Sequence, residues 1–245
     1  MLSKNQIKLI KSLGLKKNRS LYQLFTVEGV KGISEFLNSP FICRSVYTTN
    51  PSQFKDLTVN EVSEADLKRI TQLKTPNDSL ALFEIPQELG QPKLEGVILI
   101  LDDIKDPGNL GTIIRLADWF GLSTIVCSKE TVDCYNPKVV QASMGSLARV
   151  RMHYTDLKSF LNNYSGGVYG TFLDGQSIYE QSYPSNIALV MGNEARGISR
   201  EIEGLIAQKI TIPQYGDSSS TESLNVATAT AICLSEIKRS SERPG

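Results

Sequence analysis

The chain has 245 residues, enough for one large domain or two small ones whose core needs neither disulfides nor structural metal. Twenty-six acidic and twenty-six basic residues leave no net charge, which argues against a purely electrostatic nucleic-acid binder. Four cysteines without CxxC spacing and a single histidine, His153, lack the ligands of an ordinary zinc site, so no metal is expected.

Charge is uneven along the chain. Residues 1–20 carry Lys4, Lys8, Lys11, Lys16, Lys17 and Arg19 without an acid, the first being Glu28. Such a segment either contacts phosphate or is a solvated, frayed terminus, and charge alone leaves both open. No apolar h-region follows the lysines, and no apolar run is long enough to span a bilayer, so neither a signal peptide nor a membrane partner is expected. Cys127 and Cys233 lie in apolar runs and read as small core residues, a pattern that suits a reducing cytoplasm.

In chain order, Val46–Thr48 and Ser79–Glu84 read as strands, with helical spacing over Glu64–Leu73 between them. Ile85–Glu95, with Pro86, Gly90 and Pro92, reads as a linker, so the expected domains are 1–88 and 95–245. Val97–Leu101 is a continuous apolar run, as in a strand buried on both faces. A helix is expected over about Asn109–Phe120, with Leu110, Ile113, Ile114, Ala117 and Phe120 on one face and Gly121 at its end. Thr124–Cys127 is the next strand, and Pro137 suits the first turn of a helix to Met144. Val168–Leu173, Ile187–Met191 and Lys209–Ile212 are further strands, and a closely packed helix runs from about Leu224 to Lys238. Strands alternating with helices imply an α/β fold with a mostly parallel sheet.

Three segments follow strands: Asp102–Arg115, Gly192–Ser199, and the stretch from Pro213 to Ser223–Ala227. In a parallel sheet the carboxyl ends share one edge, where ligands bind, so the three loops would converge. Neither a GxGxxG nor a GxxxxGK[ST] pattern is present, which disfavours ordinary dinucleotide enzymes and P-loop NTPases.

Together these segments resemble the three motifs of the SpoU (TrmH) branch of the SPOUT methyltransferases: Asn109 with Arg115, then GlyAsnGlu with Gly197, then IlePro with SerLeuAsnVal. Asn136–Ser146 resembles the segment that this family carries between its first two motifs, and the resemblance spans roughly residues 95–240. Val27–Lys31 is similar to the small substrate-binding domain, like ribosomal protein L30, that often precedes the catalytic domain. The resemblance implies a C-terminal trefoil knot, a homodimer formed through that region, S-adenosyl-L-methionine as cofactor, and methylation of a ribose 2′-hydroxyl of structured RNA, rRNA in preference to tRNA. The chain departs from the family at Gln214, where an apolar residue is usual, and in the extra residues at Ser218–Thr221.

Each residue also has a plain reading. Asn109 is either a helix N-cap or the residue that orients Arg115 or the RNA. Arg115 points away from the apolar stripe; the resemblance makes it the group that activates the hydroxyl, whereas its permanent charge suits a phosphate or alkoxide anchor. Glu194 is a solvated loop acid or a carboxylate that holds a site arginine or the substrate. Ser223 and Asn225 cap the last helix or line the catalytic pocket. The resemblance implies that Gly192 admits the adenosine and that Ile212 and Leu224 flank the adenine. His153 lies outside the motifs and is not expected to be the base. Asp102, Asp103 and Asp106 read as a solvated loop rather than a metal site, because methyl transfer needs no Lewis acid. A non-catalytic RNA-binding or ribosome-assembly protein with a relict pocket is the alternative; it would have no need to keep Arg115, Glu194 and Asn225 together.

Overall fold

A computed structural model describes residues 2–54, 57–87, 90–216 and 223–241. The residues at Ser218–Thr221 lie outside the described ones. The chain forms two compact units: Met1–Leu89 with Asp133–Arg149, and Gly90–Val132 with Val150–Gly245.

The first unit starts with two helices, α1 (Lys4–Ser12) and α2 (Lys16–Tyr22), so residues 4–22 are neither frayed nor extended. Ser3 caps α1 by accepting from the Gln6 amide while the Gln6 side chain accepts from the Ser3 amide, a reciprocal capping box. There follow β1 (Leu24–Glu28), α3 (Val30–Leu37), β2 (Cys43–Thr48), β3 (Asn60–Glu61), α4 (Glu64–Ile70) and β4 (Ser79–Glu84). The sheet order is β1-β4-β2-β3, antiparallel except for the β2–β3 pair. α4 stops at Ile70, short of the expected Leu73, because Thr71 and Gln72 turn to donate to the Glu28 carboxylate at 2.6 and 2.8 Å.

Strand alternation loads both faces of this sheet. Leu80 and Leu82 face a cluster with Ile10, Leu13, Leu67 and Ile70. Phe25 and Phe83, opposite one another in register, join Phe36 and Phe41 in an aromatic cluster. Tyr135 packs on Phe25 at a centroid distance of 4.7 Å with the rings tilted by 40°, and Arg149 pairs with Glu35. These contacts explain why segment 133–149, which lies within the second stretch of sequence, packs with the first unit.

In the second unit run β5 (Val97–Leu101), α5 (Pro107–Trp119) and β6 (Thr124–Ser128), and α6 (Pro137–Ser143) belongs to the segment just described. Then come β7 (Arg151–Thr155), α7 (Leu157–Asn162), β8 (Gly167–Ser177), β9 (Ile187–Met191), α8 (Arg200–Glu203), β10 (Gln208–Thr211) and α9 (Val226–Ser241). The sheet order is β10-β8-β9-β5-β6-β7, and every pairing is parallel. Ile98, Ile100, Val126, Ala188 and Val190 pack against Leu157 and Leu161 of α7 and Ile202 of α8. Leu110, Ile113, Ile114 and Ala117 of α5 are buried, and α5 packs against α9. Phe120 closes α5, and Gly121 follows at φ +71°, the left-handed geometry that glycine adopts freely. Cys127 and Cys233 are buried. β8 reaches Ser177, beyond the expected Leu173, and shifts register against β10 between Lys209 and Ile210. Gly175 permits that approach, since a Cβ there would sit 2.4 Å from the Ile210 carbonyl carbon.

Candidate active site

α5 begins earlier than the apolar spacing indicates. Asp106 is its N-cap, accepting from the Asn109 amide at 2.8 Å, and Pro107 occupies the first turn. Asn109 is therefore not the cap, and its side chain is released for other contacts. Its Nδ2 donates to Glu194 Oε1 at 2.9 Å, and its Oδ1 accepts from Asn225 Nδ2 at 2.9 Å. Asn225 does cap α9: its Oδ1 accepts from the Ala227 and Thr228 amides.

The direction of this chain is fixed by donor and acceptor logic. Two helix amides occupy the oxygen of Asn225, so its NH2 points outward to Asn109. Asn109 must then accept with its oxygen and donate with its nitrogen, and the last acceptor is a carboxylate. Side chains from the loops after β5, β9 and β10 thus meet at one place. Glu194 bonds an asparagine here rather than an arginine, and its second oxygen has no partner among the described residues.

Loop Gly192–Ser199 is built to present Glu194. Asn193 and Gly197 form an antiparallel bridge, and Asn193 Oδ1 accepts from the Ala195 and Arg196 amides. A Cβ on Gly192 would come within 2.3 Å of the Gly197 carbonyl carbon and the Ile198 nitrogen, so its glycine is required by its own loop. The aspartates following β5 are not a solvated loop. Asp102 is 6% exposed and accepts from the Ser199 amide at 2.8 Å. Asp103, at φ +62°, pairs with Lys105 and Arg196, and its carbonyl accepts from Asn193 Nδ2 at 2.8 Å. Among the described residues no group of three or more His, Cys, Asp or Glu side chains could hold a metal.

The other expected residues are placed as follows. Arg115 and Thr112 are exposed on the outer face of α5, with Trp119 at 84% exposure, and Arg115 does not join the hydrogen-bonded chain. Ser223 is exposed and does not cap α9. Ile212 is half-buried at the end of β10, and Leu224 is 48% exposed. His153, on edge strand β7, has a buried Nε2 without a hydrogen-bond partner among the described residues; burial first, then the Arg151 charge, lowers its pKa.

In the first unit Lys4, Lys8 and Lys11 share one exposed face of α1, and Lys16 and Lys17 are exposed on α2. Arg19 must be removed from that group. It is 2% exposed, pairs with Asp133 at 2.5 Å and donates to the Leu13 and Gly14 carbonyls, so its charge is consumed inside the fold. Asp106 and Asn193 are the positioning residues that the sequence reading missed; the Asp-Pro pair ahead of the apolar run was a usable N-cap signal.

With this geometry in place, the comparisons are specific. Residues 96–235 match the SpoU rRNA Methylase family, and residues 4–81 match the MRM3-like substrate binding domain. The chain belongs to the SpoU rRNA methylase family. It is an RNA methyltransferase by that membership. It is 32% identical to the 23S rRNA (guanosine(2553)-2′-O)-methyltransferase RlmP of Bacillus subtilis, over 96% of this chain and 97% of that protein. A structure from Porphyromonas gingivalis ascribed to the TrmH family of RNA methyltransferases is 42% identical, with TM-score 0.88, covering 98% of this chain and 99% of that one. An AdoMet-bound rRNA methyltransferase from Sinorhizobium meliloti is 29% identical, with TM-score 0.85, covering 98% and 97%.

Proposed function

We propose that this protein transfers a methyl group from S-adenosylmethionine to the ribose 2′-oxygen of a guanosine in rRNA. The observation that carries the reading is the hydrogen-bonded chain Asn225–Asn109–Glu194, which joins one residue from each of the three family motifs. A relict pocket would have no reason to keep that chain oriented.

The residues present fit the cofactor. Leu173 (80% exposed), Tyr215 (85%) and Leu224 leave apolar surface midway along β8, after β10 and ahead of α9, suited to an adenosyl group. Thr211 Oγ1 donates to the Leu173 carbonyl at 3.4 Å and ties the end of β10 to the middle of β8. When bound, the cofactor supplies an electrophilic methyl carbon on a sulfonium. Glu194 offers its open oxygen to the substrate hydroxyl, Asn109 holds that carboxylate, and Asn225 holds Asn109. Arg115 stays protonated, so its role is to bind a phosphate or steady the developing alkoxide rather than to remove a proton. Ser223, beside this chain in sequence, is a further contact for the substrate, and Gly192, Ile212 and Leu224 border the adenosine.

Two copies complete the enzyme in this reading. Trp119 and Arg115 stand open on α5 beside α9, and a second copy would cover the indole. The knot implied by the family belongs to the same region. The α1 and α2 lysines grip folded RNA through phosphate, and cysteines held as thiols suit a cytoplasmic enzyme.

The test is calorimetry with S-adenosylmethionine, followed by incubation with 23S rRNA and tRNA transcripts and mapping of 2′-O-methyl groups. Cofactor binding and methylation of a guanosine ribose in the rRNA are expected. No cofactor binding at millimolar concentration, or methylation confined to tRNA or to a base, would overturn the proposal.

A further inference from the structure

A cavity of the catalytic unit borders loop Gly192–Ser199, with Asn193 and Arg196–Ser199 in its lining and without Glu194. It measures about 610 Å³, within the range of small-ligand sites, and opens at the carboxyl ends of β5, β6 and β7. None of Ile212, Leu224 and Asn109 lines it. Its floor follows from strand alternation. Ile100 and Val126 face the apolar core, and two residues on, the same face carries Asp102 and Ser128. Thr155, two residues beyond His153, which is paired with Val126, adds a third polar group. Leu157, Ile198 and Ile202 supply an apolar wall.

Asp102 is the informative group. It is more than nine-tenths buried, yet only one carboxylate oxygen, Oδ2, has a partner among the described residues, the Ser199 amide. Its other oxygen is not sealed in the core, so donors of a ligand in the cavity can reach it. At the mouth cations and acids are mixed: Lys129, Lys158, Arg196 and Arg200 line the opening together with Glu130, Asp156 and Glu201, and of the cations Lys129 and Arg200 have no ion pair among the described residues. Lys158 and Arg196 are paired, with Glu201 and Asp103. The cavity therefore suits a ligand with hydrogen-bond donors and a flat apolar body at one end and an anion at the other. A nucleotide has that polarity. Among the bases, guanine alone presents two adjacent donors, N1–H and N2–H2, to one carboxylate; the edge donors of adenine, cytosine and uracil each sit beside an acceptor that a carboxylate repels.

We propose that this crevice binds a guanine nucleotide, with its base on Asp102 and its phosphate at the Lys129–Lys158–Arg196–Arg200 mouth. The inference rests on the RNA reading above, in which this nucleotide is an unstacked residue of the substrate next to the reacting ribose. Glu194 and Arg196 are two residues apart on the shared loop, at most about 7 Å along the chain, so both sites fall within reach of one RNA strand.

The test uses the full chain saturated with S-adenosylmethionine, so that the cofactor site is filled, and equilibrium dialysis with guanosine 5′-monophosphate. Binding with a preference of roughly ten-fold or more over adenosine 5′-monophosphate is expected. Asp102→Asn should abolish the preference. Lys158→Glu, at the exposed mouth, should weaken both nucleotides together. Cofactor binding by each variant verifies folding and, in the wild type, tests the preceding proposal separately. A wild type that binds cofactor but shows no guanine preference, or an Asp102→Asn variant that keeps it, overturns the inference. A raised KM of Asp102→Asn for a 23S rRNA transcript assigns the guanine to the RNA; an unchanged KM with lost mononucleotide binding assigns it to a free guanine nucleotide.

Discussion

Arg19 in the first unit and Arg115 in the second are both arginines on helices, and the structure treats them in opposite ways. Arg19 is closed off by Asp133 and two backbone carbonyls; Arg115 stands in solvent on α5 without a partner among the described residues. The same contrast separates Glu28 from Glu194. Glu28 is enclosed by Thr71 and Gln72, and burial raises its pKa, whereas Glu194 takes one bond and keeps an oxygen open. Charged groups that the fold has satisfied act on stability, and those left unsatisfied at the end of the parallel sheet are available for chemistry.

The strongest way to break this comparison is at Arg19. Arg19→Met strands Asp133, and removing one partner of a buried pair costs about 3–5 kcal/mol, read as a shift in the urea midpoint. Replacing both partners by apolar residues should recover much of that loss. A single variant with wild-type stability and weaker RNA binding would return Arg19 to the RNA surface. Arg115→Ala should do the reverse: methyl transfer falls by about 10²–10³-fold while the urea midpoint and cofactor affinity hold. Wild-type turnover would remove Arg115 from the reaction centre.

Smaller effects sharpen the picture. Changing Lys4, Lys8 and Lys11 together to alanine should lower the slope of log affinity for RNA against log salt by about 2 to 3, with stability unchanged. An unaltered slope would make α1 irrelevant to RNA. The smallest effect concerns His153, whose folded pKa is lowered, chiefly by burial and then by Arg151. The unfolded chain therefore binds the proton first. Stability is full above the ordinary histidine value of about 6.5 and declines as pH falls through it towards the folded value. His153→Gln should flatten that part of the stability curve, measured as urea midpoints at several pH values.

Much of this is legible in the sequence. VILIL and IALVM appear as β5 and β9, Gly121 ends α5, and three polar loops after strands meet at one edge because the strands are parallel. Less legible was everything set by a distant partner. Arg19 reads as one more cation in a basic run until Asp133, 114 residues away, is brought to it. Asp102 and Asp103 read as a solvated loop until Ser199 and Arg196 close on them. Asn109 reads as a cap until Asp106 takes that place.

Local order fixed the periodic elements, the helix ends and the identity of the motif residues, because hydrophobic spacing, Asp-Pro and glycine act over a few neighbouring bonds. Tertiary structure decided which of the charged and amide groups were spent and which stayed open, because that depends on donors and acceptors that only chain crossing brings within hydrogen-bond reach.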